Sequence, residues 1–174
     1  MVKRFVLLMV LIPFFTSCFF DTSLFDMKMD KAPYTGNELR IDGYYYSGVT
    51  SGGSIAVSVF YRDGFCIHTR FKPESQDTLT DIENKILLND KYISNLKNSP
   101  SHIGVFRIID SDIEFEAWEY RNQTFSHYGE IVNDTTFIIN ERKDNRTGKV
   151  YKEILTYRFK QFDAKPDSIS KYVP

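Results

Sequence analysis

From Leu39 onward, apolar and polar residues alternate with period two along most of the chain. The clearest stretch is residues 102–162, HIGVFRIIDSDIEFEAWEYRNQTFSHYGEIVNDTTFIINERKDNRTGKVYKEILTYRFKQF. Five strand-type runs follow one another there. Asp110-Ser111, Asn122-Gln123, Asn133-Asp134 and the longer polar segment 143–148 part them. Connections this short join only antiparallel neighbours, because a parallel crossover needs about a dozen residues or more. Three further runs precede them, at residues 39–46, 54–61 and 65–71. The last two flank Arg62-Asp63-Gly64, and Asp-Gly between apolar alternations marks a tight hairpin whose central positions need positive φ.

The period changes once. Leu79, Ile82, Ile86, Ile93 and Leu96 recur at helical spacings, Thr80 and Glu83 stand as a capping box, and Asn98-Ser99-Pro100 stops the pattern. This predicts a short helical insert over residues 78–97, with Asn89-Asp90 as its point of division. Its single apolar stripe should lie on the sheet or across one end of it. The fold expected is therefore mainly β: an up-and-down meander of about eight antiparallel strands, closed into a barrel, with the insert after the third strand. Closure leaves no exposed edge.

Alternation also predicts an inside and an outside. The more uniformly apolar set should line the lumen: Tyr45, Val57, Ile67, Phe115, Tyr157 and Phe159, together with Leu39, Ile41, Ile55, Val59, Phe65, Ile113 and Leu155. Glu114, Glu116, Arg158 and Lys160 should then face water. On that reading Glu116→Ala would change stability by less than about 0.5 kcal/mol.

The chain has 174 residues, enough for one domain, here residues 37–174. Its aromatic content of 16% is ample for a β core and argues against disorder. The formal charge of −1 offers no basic surplus, so no nucleic-acid partner is expected.

The N-terminus carries a different signal. Lys3 and Arg4 precede an uncharged apolar run, FVLLMVLIPFF, far shorter than the roughly 20 residues of a spanning helix. Thr16-Ser17-Cys18 follows, and this ending resembles a bacterial lipobox, with Phe15 where an aliphatic residue is usual. The resemblance implies a signal peptide over residues 1–17, a lipid on Cys18, and attachment to a membrane of the bacterial cell envelope, the outer membrane being expected. Removing Lys3 and Arg4 takes the formal charge from −1 to −3. Residues 18–36 read as a lipidated tether. Cys66, in an apolar strand, is then left without a partner in the chain and reads as a buried, inert thiol.

Candidate chemistry is sparse. His68, His102 and His127 fall in three different predicted elements without the close pairing of metal ligands. No phosphate loop and no nucleophile elbow occurs. Glu114 and Glu116 share a strand face at about 7 Å, a spacing that would suit a glycosidase pair, but a solvated strand face accounts for them. No catalytic residue, metal or cofactor is expected, and the chain is expected to be a monomer.

The run GVFRIIDSDIEFEAW resembles the middle of bacterial lipocalin-like domains, and YRFKQFDAKPDS resembles the last strand and tail of small bacterial lipoproteins. The resemblance covers residues 39–167, with Gly43-Tyr44-Tyr45 near where lipocalins carry Gly-x-Trp. It implies an eight-stranded barrel, a lumenal lipophilic ligand and no enzymatic activity. Two functions are then open. One is a binding module holding a small apolar or amphipathic molecule in the lumen, which would call for a cavity of a few hundred Å3. The other is a non-catalytic accessory lipoprotein of an envelope assembly, with a filled barrel.

Overall fold

A computed structural model of the protein describes residues 27–120, 123–170 and 172–173. The expected signal peptide, Cys18 and the first part of the expected tether lie outside the described residues. Eight strands form one closed barrel in sequence order: β1 (Gly43–Ser47), β2 (Ile55–Phe60), β3 (Phe65–Phe71), β4 (Ile103–Ile109), β5 (Asp112–Tyr120), β6 (Gln123–Asn133), β7 (Thr136–Asp144) and β8 (Val150–Gln161). Every neighbouring pair is antiparallel, and β8 returns to β1 with Tyr45 opposite Phe159. The mainly β, up-and-down barrel is thus present, with the helical insert after β3.

The insert comprises α1 (Thr78–Ile82), which runs into a π-helical turn (Glu83–Leu87), and α2 (Asp90–Lys97). Asn89 divides the two by capping α2, accepting a bond from the Tyr92 N–H. The cap of α1 is Asp77 rather than Thr80: its carboxylate accepts from both the backbone N–H and the hydroxyl of Thr80. Asp81 takes the N–H groups of Glu74 and Ser75 and pairs with Lys85.

Apolar burial divides into two clusters, one inside the barrel and one outside. The lumenal cluster includes Tyr45, Ala56, Phe60, Cys66, Phe106, Ile113, Phe115, Phe137 and Tyr157, with Leu155 and Phe159 packed against it. The outer cluster joins Ile55, Val57, Val59, Phe65 and Ile67 to Ile82, Ile86, Ile93 and Leu96 of the insert and to Trp118. Val57 and Ile67 therefore face the helices, and the expectation that they line the lumen is corrected. The cause is coverage. All six residues of β2 are buried, so the strand has no wet face to set the phase of its alternation. The aliphatic Ile55, Val57, Val59 and Ile67 meet the helices, and Ala56, Ser58, Phe60, Cys66 and His68 turn inward.

Residues 27–36, expected to be free tether, are docked. The Lys28 and Met29 N–H groups both donate to Glu116 Oε2, at 2.9 and 2.8 Å, and the side chains of Met27 and Met29 pack on the outer cluster. Further on, the Tyr34 N–H bonds Arg62 O across the β2–β3 turn. Gly64 in that turn has φ +85°, and a Cβ there would meet Ala32 O at 2.1 Å, so both the turn and the crossing segment require glycine. Tyr34 and Leu39 then enter the lumenal cluster and close that end of the barrel. The C-terminal tail is strapped down as well: Lys165 Nζ donates to Ile41 O and Phe60 O, and the Tyr61 hydroxyl donates to Pro166 O.

Cys66 is fully buried inside the barrel, and burial pushes its thiol far above the usual range. It should stay unmodified by a thiol reagent in the native protein and react once denaturant is added. Modification at a free-thiol rate without denaturant would show that the lumen opens readily.

Candidate functional site

The lumen has two halves. In the apolar half, aromatic rings stack and tilt against one another. Phe137 lies flat on Tyr157 at 4.5 Å between centroids, Tyr45 meets Phe137 at 5.1 Å, and Phe60 meets Phe106 at 4.7 Å. These side chains are fully buried. Of the residues expected to line a ligand site, the structure brings Tyr45, Phe115, Tyr157 and Phe159 together here, already in mutual contact, while Val57 and Ile67 sit elsewhere.

The other half is polar. Cross-strand pairing sets its geometry: Ser58 stands opposite His68 on β2 and β3, Phe115 opposite His127 on β5 and β6, and His127 opposite Arg142 on β7. Directly paired residues share a face, so all of these point inward with Phe115. Phe115 is the boundary between the halves. Its ring stacks on His127 at 4.3 Å, with only 9° between the planes, and contacts His68 at 5.0 Å. Beyond it, Glu119 Oε1 sits 2.8 Å from His127 Nε2, and Arg142 Nη1 donates to Glu119 Oε2 at 2.9 Å. Arg70 reaches Glu153 at 3.4 Å, and Arg142 Nε lies 3.8 Å from the same carboxylate. Two arginines and two glutamates thus balance at this end of the barrel.

Burial governs how these groups ionise. Burial alone would raise the Glu119 carboxyl, but the hydrogen bond and electrostatic pull of His127, with the nearby Arg70 charge, outweigh it and hold the group well below the usual carboxylate range. Burial pushes His68 the other way, far below the usual imidazole range, so His68 is neutral. Its Nδ1 lies 2.9 Å from the Ser58 hydroxyl, while its Nε2 has no partner. A ring nitrogen each from His68 and His127 and a carboxylate oxygen of Glu119 all lie within 4.8 Å of one another. A cavity of about 90 Å3 adjoins them, lined by His68, Thr69, Arg70, His102 and Glu119.

The sequence did not suggest this cluster. Its members are separated by up to 59 positions, one to a strand, and only the barrel's curvature converges them. The available signal was one polar residue in the phase of an inward-facing set on each of three strands, and that signal is readable only once the phase of β3 is known.

Glu114 and Glu116 are both engaged by other groups. Glu114 is held by Arg107 at 2.5 Å. Glu116, expected in water, is 1% exposed. It faces outward as predicted, but Lys28 and Met29 cover it, and Asn145 Nδ2 donates to its other oxygen at 2.8 Å. On the outer wall, a groove of about 500 Å3 crosses β4 to β8, with Arg107, Asp112, Glu114, Glu130, Glu141 and Lys152 among its lining. Its charges are of both signs and partly paired with one another.

Comparison with protein-family models, with curated proteins and with solved structures found no match for this chain.

Proposed function

We propose that this chain is a cell-envelope lipoprotein, anchored through a lipid on Cys18, whose self-filled barrel serves as a non-catalytic accessory module of an envelope assembly. The observation that carries this reading is the packed apolar half of the lumen. A drug-sized or lipid-like ligand needs a site of about 300 Å3 or more. Here Tyr45, Phe60, Phe106, Phe115, Phe137 and Tyr157 occupy that space themselves. A lipophilic ligand would have to displace several rings at once, each with well-formed contacts. Docking of residues 27–29 on Glu116 adds a geometric constraint. Eight residues separate Cys18 from Met27, nine steps along the chain, so the lipid would hold the barrel within about 30 Å of the bilayer. A barrel held that close suits contact with other membrane-bound components better than shuttling a ligand.

Native mass spectrometry of the protein purified from its own host tests this. The expected mass is that of the chain from Cys18 with its covalent acyl chains, and in mild detergent the protein should run in an assembly larger than one copy. A stoichiometric lipid-like mass that leaves only on unfolding would overturn the filled-barrel reading in favour of ligand carriage.

A further inference from the structure

We propose that His68, His127 and Glu119 form a binding site for one divalent transition-metal ion such as Zn2+, inside the polar half of the barrel. Two imidazoles and one carboxylate are a donor set that zinc takes readily. The three residues stand on three different strands of a closed sheet, so the backbone fixes where each begins. Their donor atoms already lie within 4.8 Å of one another. Around an ion at about 2.0–2.2 Å from each donor, they would stand roughly 3.4 Å apart. Side-chain rotation of an ångström or so closes that difference.

The surroundings are those of a ligand shell. His68 is fully buried and has an unpartnered Nε2, an unusual state for a buried polar atom and one that a metal satisfies. The Ser58 hydroxyl beside His68 Nδ1 can accept a hydrogen bond from Nδ1–H, which leaves the lone pair on Nε2. Arg142 holds the far oxygen of Glu119 and leaves the near one facing His127. The adjoining cavity has room for a water as a further ligand, with His102 on its wall. Binding replaces one contact with another: the hydrogen bond between His127 Nε2 and Glu119 Oε1 gives way, and both atoms turn to the ion. Arg70 and Arg142 oppose a further positive charge, so the affinity expected is micromolar rather than picomolar.

The test uses the full chain without an affinity tag, stripped with a chelator and titrated with ZnCl2 against a chromophoric competitor. One ion per chain is expected. Cobalt(II) in its place should give the intense visible bands of a four- or five-coordinate site. His68→Ala leaves the His127–Glu119–Arg142 bonds intact and should weaken binding by more than about 100-fold, beyond the loss typical of an outer-shell partner. Glu119→Gln, isosteric, should do the same if His68→Ala fails to fold. Absence of zinc binding, a cobalt spectrum of the weak octahedral type, or affinity unchanged in the folded variants would each overturn the proposal.

Discussion

Glu116→Ala is expected to destabilise the protein by roughly 3 kcal/mol, since it strands several donors that now bond a buried carboxylate. Three bonds converge on this side chain: Lys28 N–H, Met29 N–H and Asn145 Nδ2. Asn145 also donates to Thr124 and Ser126, so the β7–β8 turn, β6 and the N-terminal segment all meet at one carboxylate. The two backbone donors can regain water if residues 27–29 peel away, and this relief keeps the cost from rising further. Amide exchange should therefore show Lys28 and Met29 losing protection in the variant while the barrel strands keep theirs. Chemical denaturation gives the magnitude. A change under about 0.5 kcal/mol would mean that the segment does not dock and that Glu116 sits in water, as alternation alone suggests.

Phe115→Ala should cost still more, roughly 4 kcal/mol, because a rigid closed barrel cannot collapse around the vacated ring. Phe115 is fully buried and touches Phe60, His68 and His127. Its loss would open a void between the two halves of the lumen, walled by Phe60 on one side and the two imidazoles on the other. The variant, and not the parent, should then bind a small apolar probe such as xenon or benzene. Denaturation midpoints measure the first effect, and probe-dependent stabilisation measures the second. A parent protein stabilised by the same probe would mean that the barrel already contains an apolar hole, against the filled-lumen reading.

These two neighbours on β5 show how far sequence reading reaches. Period two assigns Phe115 inward and Glu116 outward, and the structure keeps that assignment. What alternation leaves open is what lies on the outer side. Glu116 faces away from the lumen and is nonetheless buried, because a segment some 88 positions away in sequence covers it. The same limit appears on β2 and β3, where Val57 and Ile67 point outward beneath the helical insert. A strand with water on one side announces its inner face; a strand covered on both does not.

The sequence by itself determined the element order, the antiparallel pairing and the position of the helical insert, because short turns and local periodicity are properties of neighbouring residues. It also determined the inner face on β5 and β8, where charged residues mark the opposite side. The tertiary structure alone decided which face of β2 and β3 is inside and that the N-terminal segment caps Glu116. It alone brought His68, Glu119 and His127 to one point, 2.8 Å separating the last two. Those outcomes depend on how the closed sheet curves and on which covering segment wins a given surface. Both are settled by burial between residues far apart in the chain, where no local pattern carries the information.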